Sequence, residues 1–443
     1  MKITPLEAWI AGKIGSKGRL NREELISYQI RKLRDTVALV QARSRFYAGR
    51  LSGISPGRIN SLDDLRRIPF TTAEQLREFP LSFLCVTQDE INRVVTLPTS
   101  GTTGQPKRLF FTGPDQELTI DFFRHGMSTL VHSGDRVLIL LPGERPGSVG
   151  DLLQNGLSRM GAEGIVYGPV FNALDALQTA VQERINSMVG IPTQVLALAR
   201  FSRVNEIRLK GLKNVLLSTD YVPDAIAVAL TKEWGCRVFN HYGMTEMGLG
   251  GGVECEALAG YHLREADLLF EVVDPVTSEP VPEGEQGEVV FTTLTRTGMP
   301  LLRYRTGDIS RFIPEPCSCG TVLKRLERVA GRLDSRLTLT DGDTLTLQEL
   351  DEALFRIEGL LDFRVTMTSD GRVSVMQIEV GTLSQSPGAL TEVILAAKGI
   401  PVVSRAVGKG SLRVTACIQK ERWSTNGVSK RKIIDCRNRH GQF

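Results

Sequence analysis

The chain has 443 residues, 41% of them apolar and 23% charged, a composition that fits folded domains and excludes a disordered or collagen-like chain. Its 54 Lys and Arg stand against 50 Asp and Glu, and a net charge of +4 gives no reason to expect a nucleic acid or an anionic membrane as partner. No run of eighteen apolar residues occurs, residues 1–15 carry polar breaks at Thr4, Glu7 and Lys13, and seven cysteines are scattered and odd in number. No spanning helix, no leader and no disulfide framework are therefore expected, and the chain reads as soluble and cytoplasmic.

In chain order, residues 22–50 are charge-rich with apolar positions at helical spacing, which predicts one or two amphipathic helices. From about 94 to 310, short apolar runs alternate with helical stretches. Runs 136–141, 164–167, 215–217 and 237–239 read as buried strands, and 223–234, opened by Pro223, as a helix. Runs 267–274 and 287–294 read as further strands. The alternation predicts an α/β sheet with ligand loops at strand ends.

After about 333 the texture changes. Runs 336–339 and 344–347 flank Asp341-Gly342, a hairpin signal. A helix over 350–357, two strands around Asp370-Gly371, a helix over 389–397 and a strand over 412–418 follow. The expected division is a large α/β domain over 1–332 and a small α+β domain over 333–443. Residues 400–443 hold ten Lys or Arg against Glu421 and Asp435, a net +8, which predicts either a solvated basic tail or a lid carrying positive charge to a phosphate-bearing ligand.

Residues 97–107 read LPTSGTTGQPK, a loop between two extended runs. Gly101 and Gly104 let backbone N–H groups turn inward, Thr99, Ser100, Thr102 and Thr103 supply hydroxyls, and Lys107 supplies charge. Together these make a phosphate cradle. It is not a P-loop of the GxxxxGK[ST] kind, because Pro106 stands where the second glycine belongs and no helix is expected to follow.

This stretch resembles the phosphate-binding signature of the adenylate-forming superfamily of acyl-CoA synthetases, luciferases and peptide-synthetase adenylation domains. Three more motifs follow in the family's order. His241-Tyr242-Gly243-Met244-Thr245-Glu246 resembles YGxTE, Tyr304-Arg305-Thr306-Gly307-Asp308 resembles Y-[RK]-TGD, and Gly331-Arg332-Leu333-Asp334 resembles the GRxD hinge. The stretches 28–51, 61–76, 251–275 and 316–320 are similar to segments of the phenylacetate–CoA ligase branch.

The resemblance implies an ATP- and Mg²⁺-dependent acid–CoA ligase, for an aryl or related carboxylic acid, that forms an acyl-adenylate and passes it to coenzyme A. Residues 1–332 would be the adenylation domain and 333–443 a lid swinging about Asp334. The 99–107 loop would hold the β- and γ-phosphates, Glu246 would hold Mg²⁺, Thr245 would contact the α-phosphate, and Tyr242, between His241 and Gly243, would lie against adenine. Asp308, acceptor-only when ionised, suits the ribose hydroxyls, and Arg332 suits ribose and phosphate. The lid lysine falls within 427–437 (GVSKRKIIDCR), at Lys430 or Lys432, with Lys430 taken as catalytic. Residues 216–223 (LLSTDYVP) stand where relatives have a Gly-Gly-Glu-Pro turn, so Asp220 and its neighbours would give ATP or the acid a different wall.

Cys255, His262, Cys317 and Cys319 supply three thiols and an imidazole, the ligand count of a structural zinc site. Reduced, unliganded cysteines remain the alternative at this stage, although similar positions bind zinc in some members of the branch. The branch also implies a homodimer, which no sequence feature here indicates. Two other functions stay open: an adenylyltransferase of the coenzyme F390 synthetase type that places AMP on a cofactor hydroxyl, and a non-catalytic nucleotide-binding relative.

Overall fold

The computed structural model describes residues 1–97, 105–371, 373–383, 387–419 and 431–437. The chain divides into two compact units. One comprises Met1–Gly134, Gly143–Gly164 and Phe239–Val329; the other comprises Asp135–Pro142, Ile165–Val238 and Ala330–Phe443. Both mix helices and strands, the class expected from the sequence. Among the described residues no helix is long and apolar enough to cross a membrane.

The first unit opens with helices. The amphipathic stretch at 22–50 forms Arg22–Arg43 and Arg45–Arg50, broken at Ser44, whose extended backbone ends the first helix and whose hydroxyl accepts the Tyr47 N–H to start the second. Strands Ile91–Leu97 and Lys107–Thr112 pair antiparallel, with Leu97 opposite Lys107. A capping box at Thr112 and Asp115 then starts the helix Gly113–Met127. Strands Leu268–Val273, Gly287–Thr293 and Tyr304–Ser310 form an antiparallel meander in which every residue of the central strand is buried. Gly252–Glu254 and Tyr261–Leu263 form a second antiparallel pair, with Val253 opposite His262. The core gathers Phe83, Phe111, Tyr242, Phe291, Leu301 and Tyr304.

In the second unit, Arg136–Ile139, Ser187–Gly190 and Asn214–Leu217 run parallel, and the helix Asp224–Trp234 follows Pro223 and ends on left-handed Gly235. The hairpin at Asp341-Gly342 and the strand Leu412–Ile418 lie where the sequence predicts them. Strands Leu360–Asp370 and Val373–Thr382 pair antiparallel around Gly371, and short Ile433–Asp435 joins the first of them in parallel. The helix expected at 350–357 runs instead from Leu347 to Leu354, because Thr346 and Glu349 form a capping box that sets its start three residues earlier. A further helix, Pro401–Gly408, opens on its proline.

Among its described residues the basic terminal stretch is largely paired. Of its six described Lys and Arg, five form ion pairs: Arg405 with Asp343, Lys409 with Asp341, Arg413 with Asp370, Arg431 with Asp351 and Arg437 with Asp435. Four of these acids precede residue 400, so a count over the terminal segment misses them.

Within this unit the C-terminal residues pack on 165–238. The Arg200 guanidinium donates to the carbonyls of Phe355 and Ile357, both at 2.8 Å. The Glu352 carboxylate accepts the Tyr221 hydroxyl at 2.9 Å and the backbone N–H groups of Asp224 and Ala225 at 2.7 and 3.2 Å, neutralising the N-terminus of the helix Asp224–Trp234. The bulky turn at 218–221 thus supplies a docking contact for Glu352. Tyr221→Phe keeps the ring and deletes one donor, so urea unfolding should show a loss of about 1–2 kcal/mol, the worth of a hydrogen bond to a charged group. An unchanged midpoint would mean that this contact contributes nothing net.

Candidate functional site

Lys107 is the first residue of the strand Lys107–Thr112. The Lys107 ammonium is paired with the Glu246 carboxylate and lies 3.3 Å from the Tyr304 hydroxyl, which itself donates to Glu246 Oε1 at 3.1 Å. Glu246 is 2% exposed, in the single turn Thr245–Met247 that Gly248 terminates in the left-handed region. Two residues assigned separately to phosphate and to Mg²⁺ therefore meet, 139 positions apart in sequence. A lysine and a carboxylate side by side can receive a phosphate oxygen and a divalent cation together, each group balancing the other until the ligand arrives.

Tyr242 closes the strand Arg237–Tyr242. Its hydroxyl donates to Asp308 Oδ2 at 3.0 Å, and its ring stacks on Tyr261 at 5.7 Å between centroids. Burial, followed by the Asp308 charge, raises the Tyr242 phenol well above its usual range, so it acts as a fixed donor. Asp308 sits on the strand Tyr304–Ser310 just after left-handed Gly307, whose N–H donates to Glu288 at 2.9 Å. His241 packs against Phe122 and Phe123, and burial lowers its pKa to about 4, leaving it neutral. Gly243 is required by close approach: a Cβ there would lie 2.6 Å from the Leu249 carbonyl oxygen.

Asp220 and Arg332 belong to the second unit. Asp220 Oδ1 accepts the Tyr221 N–H at 2.9 Å, and Arg332 ends the two-residue strand Gly331–Arg332. Asp334 lies in the short turn Leu333–Ser335, and Lys432 directly precedes the strand Ile433–Asp435. Thr99, Ser100, Gly101, Thr102, Thr103, Gly104 and Lys430 fall outside the described residues.

Cys255, His262, Cys317 and Cys319 converge, with all four ligand atoms within 4.8 Å of one another and every residue buried. Cys255 Sγ lies 3.7 Å from Cys317 Sγ, and Cys319 Sγ lies 3.5 Å from His262 Nε2. His262 projects from the middle of its strand, while Cys317 and Cys319 flank a turn whose Cys317 carbonyl accepts the Gly320 N–H. Burial pushes the Cys255 thiol up to about 12 and His262 down to about 4. This donor set fits a tetrahedral zinc ion, with four protein ligands and no open position.

Two residues of the site have no assigned role in the sequence reading. Tyr304 was legible as the first letter of YRTGD, but its contact with Glu246 was not. Arg296 is a lone basic residue after an apolar strand, and nothing in its neighbourhood marks it.

These features define an adenylate-forming enzyme. The family model described as AMP-binding enzyme matches residues 27–295. The phenylacetate–coenzyme A ligase of Thermus thermophilus is 33% identical over 344 residues, covering 72% of this chain and 73% of that protein. The phenylacetate–coenzyme A ligase of Aromatoleum evansii is 27% identical over 348 residues, covering 76% of each. A crystal structure of 2-hydroxyisobutyryl-CoA ligase in the postadenylation state shares the fold, with a TM-score of 0.81, 22% identity, and coverage of 94% of this chain and 91% of that one. The chain belongs to the AMP-binding enzyme family, in its phenylacetate–CoA ligase-like branch.

Proposed function

We propose that the chain joins an aryl or related carboxylic acid to coenzyme A by way of an acyl-adenylate. The reaction class is AMP-forming acid–thiol ligation, with ATP and coenzyme A as co-substrates. In the first half-reaction a carboxylate oxygen attacks the α-phosphorus of ATP and pyrophosphate departs. In the second, the coenzyme A thiolate attacks the acyl carbon and AMP departs. A carboxylate has only oxide to lose, so exchanging that for a phosphate ester makes the acyl carbon reactive.

The observation that carries this reading is the Lys107–Glu246–Tyr304 cluster at the start of the strand Lys107–Thr112. Lys107 would take a phosphate oxygen, Glu246 would hold Mg²⁺, and Tyr304 would orient that carboxylate. Mg²⁺ supplies a hard cation that neutralises phosphate charge. Tyr242 and Asp308 would receive the nucleoside, with Thr245 near the α-phosphate and His241 and Gly243 shaping the same wall. Asp220 and Arg332 are proposed as further nucleotide contacts. The buried Cys255–His262–Cys317–Cys319 cluster would hold zinc in a purely structural role.

The segment from 333 onward is the proposed lid, with its pivot at Asp334 and with Lys430, or else Lys432, meeting the reacting oxygens. Catalysis of this kind rests on positioning and charge stabilisation rather than on a covalent enzyme intermediate.

Pyrophosphate release from ATP and Mg²⁺, measured across aryl and aliphatic acids with and without coenzyme A, tests the reading. Release with one acid group, accompanied by AMP and an acyl-CoA, is expected. Release that no acid stimulates and that coenzyme A leaves untouched would favour transfer of AMP to another acceptor. A sharper check lies at Asp308. Asp308→Asn removes the charge and replaces an acceptor oxygen by a donor, so the KM for ATP should rise about 10–100-fold, equivalent to about 1.4–2.8 kcal/mol, the worth of a hydrogen bond to a charged group. An unaltered KM would remove Asp308 from the nucleotide site.

A further inference from the structure

Arg296 lies just beyond the strand Gly287–Thr293 and is 6% exposed. Its Nη1 donates to the carbonyl oxygen of Glu246 at 3.0 Å, and its Nη2 donates to the carbonyl oxygen of Phe110 at 2.8 Å. The guanidinium also lies 4.3 Å from the centroid of the Phe111 ring. Its hydrogen-bond partners are thus two neutral carbonyls, and among the described residues its Nε has none. The loop holding it is fixed in turn by Asp115, whose carboxylate accepts the N–H groups of Thr297, Gly298 and Thr112 at 3.0, 3.2 and 3.1 Å.

Burying a guanidinium without a bonded carboxylate costs desolvation that an apolar side chain of similar size avoids. What the guanidinium provides is geometry. Its planar fork presents diverging donors, so one side chain can hold two carbonyls at a set separation, whereas a lysine ammonium is a single point on a flexible stem. The two carbonyls belong to the two pieces of chain that carry the site: Glu246 itself, and the strand three residues beyond Lys107.

We infer that Arg296 is a positioning residue for adenylation, holding the Glu246 turn and the Lys107 strand at the spacing that lets both act on one magnesium-bound triphosphate. It touches neither nucleotide nor acid. This rests on the proposed ligase reading, and the two can fail separately.

The test compares the full-length protein with Arg296→Lys and Arg296→Met in two assays: ATP–pyrophosphate exchange across a Mg²⁺ titration, and acyl-CoA formation from chemically supplied acyl-adenylate. Both variants should lose exchange kcat, about 100-fold for Arg296→Met if the pair shifts by an ångström. Both should also need more Mg²⁺ for half-saturation, and their rate from supplied acyl-adenylate should stay within about twofold. Arg296→Lys keeps the charge and one donor, so it remains informative where the methionine variant does not fold, and it should lose less. Exchange at the native rate in a folded variant would overturn the inference, as would an equal fall in both assays, which marks a general structural role. A wild-type protein that exchanges no pyrophosphate with any acid would overturn the ligase reading first.

Discussion

Glu246→Gln should reduce pyrophosphate exchange by about 100–1000-fold, the cost of deleting one group aimed at transition-state charge. The shape is retained, so the loss reports charge alone. Glu246 is 2% exposed and already engaged by Lys107 and Tyr304. Replacing it with an amide leaves the half-buried Lys107 ammonium without its charged partner and would leave Mg²⁺ without its carboxylate. Raising Mg²⁺ should restore part of the rate, because weaker coordination is offset by mass action. A variant with native exchange at all Mg²⁺ concentrations would show that this carboxylate serves the fold and not the metal.

Metal analysis of the purified protein should find one zinc per chain, and Cys319→Ser should abolish it. Loss of a structural metal belongs to the short list of changes that cost about 4 kcal/mol or more. The consequence should reach the N-terminus, because Glu7 and Arg19 hold the knuckle. Glu7 accepts the Thr321 hydroxyl at 2.6 Å and the Val322 N–H at 3.0 Å, and Arg19 donates to the Gly320 carbonyl. Chelation should therefore speed proteolytic cleavage near residues 1–20. A zinc-free protein of equal stability would reduce the cluster to four neutral buried groups.

The sequence disclosed the site in proportion to how local its chemistry is. The phosphate, ribose and magnesium contacts proposed above fall on short strings, so YGxTE-like and YRTGD-like motifs could be found by reading along the chain. Arg296 could not, because its partners are backbone carbonyls 50 and 186 positions away, and a carbonyl has no letter. The same logic governs the fold. The run at 237–239 extends to Tyr242 because buried Asn240 is satisfied across the sheet by Glu254, which accepts both its backbone N–H and its amide. A polar letter in an apolar run ends a strand on paper, yet a distant carboxylate lets it continue. Ile433–Asp435 is three residues in a basic stretch, too short for periodicity to reveal, and it is fixed by pairing with Val365, Thr366 and Met367.

The Arg431 guanidinium shows how tertiary context changes what a charge run means. It lies against Phe355 and Phe363, pairs with Asp351 at 2.7 Å and Asp362 at 3.3 Å, and is only partly exposed. Burial, opposed by that guanidinium, raises Asp351 to about 7. A residue of the stretch read as a basic tail or a lid is thus part of the packing that seats the strand Ile433–Asp435.

The central claim is that the acid's own oxygen becomes bonded to the α-phosphorus. Supplying an accepted acid labelled with ¹⁸O in both carboxylate oxygens, with ATP, Mg²⁺ and coenzyme A, tests it in a single turnover. AMP carrying one ¹⁸O, alongside an acyl-CoA carrying the other, is the predicted result. Unlabelled AMP, or label recovered in inorganic phosphate, would mean that no acyl-adenylate forms and would contradict the account.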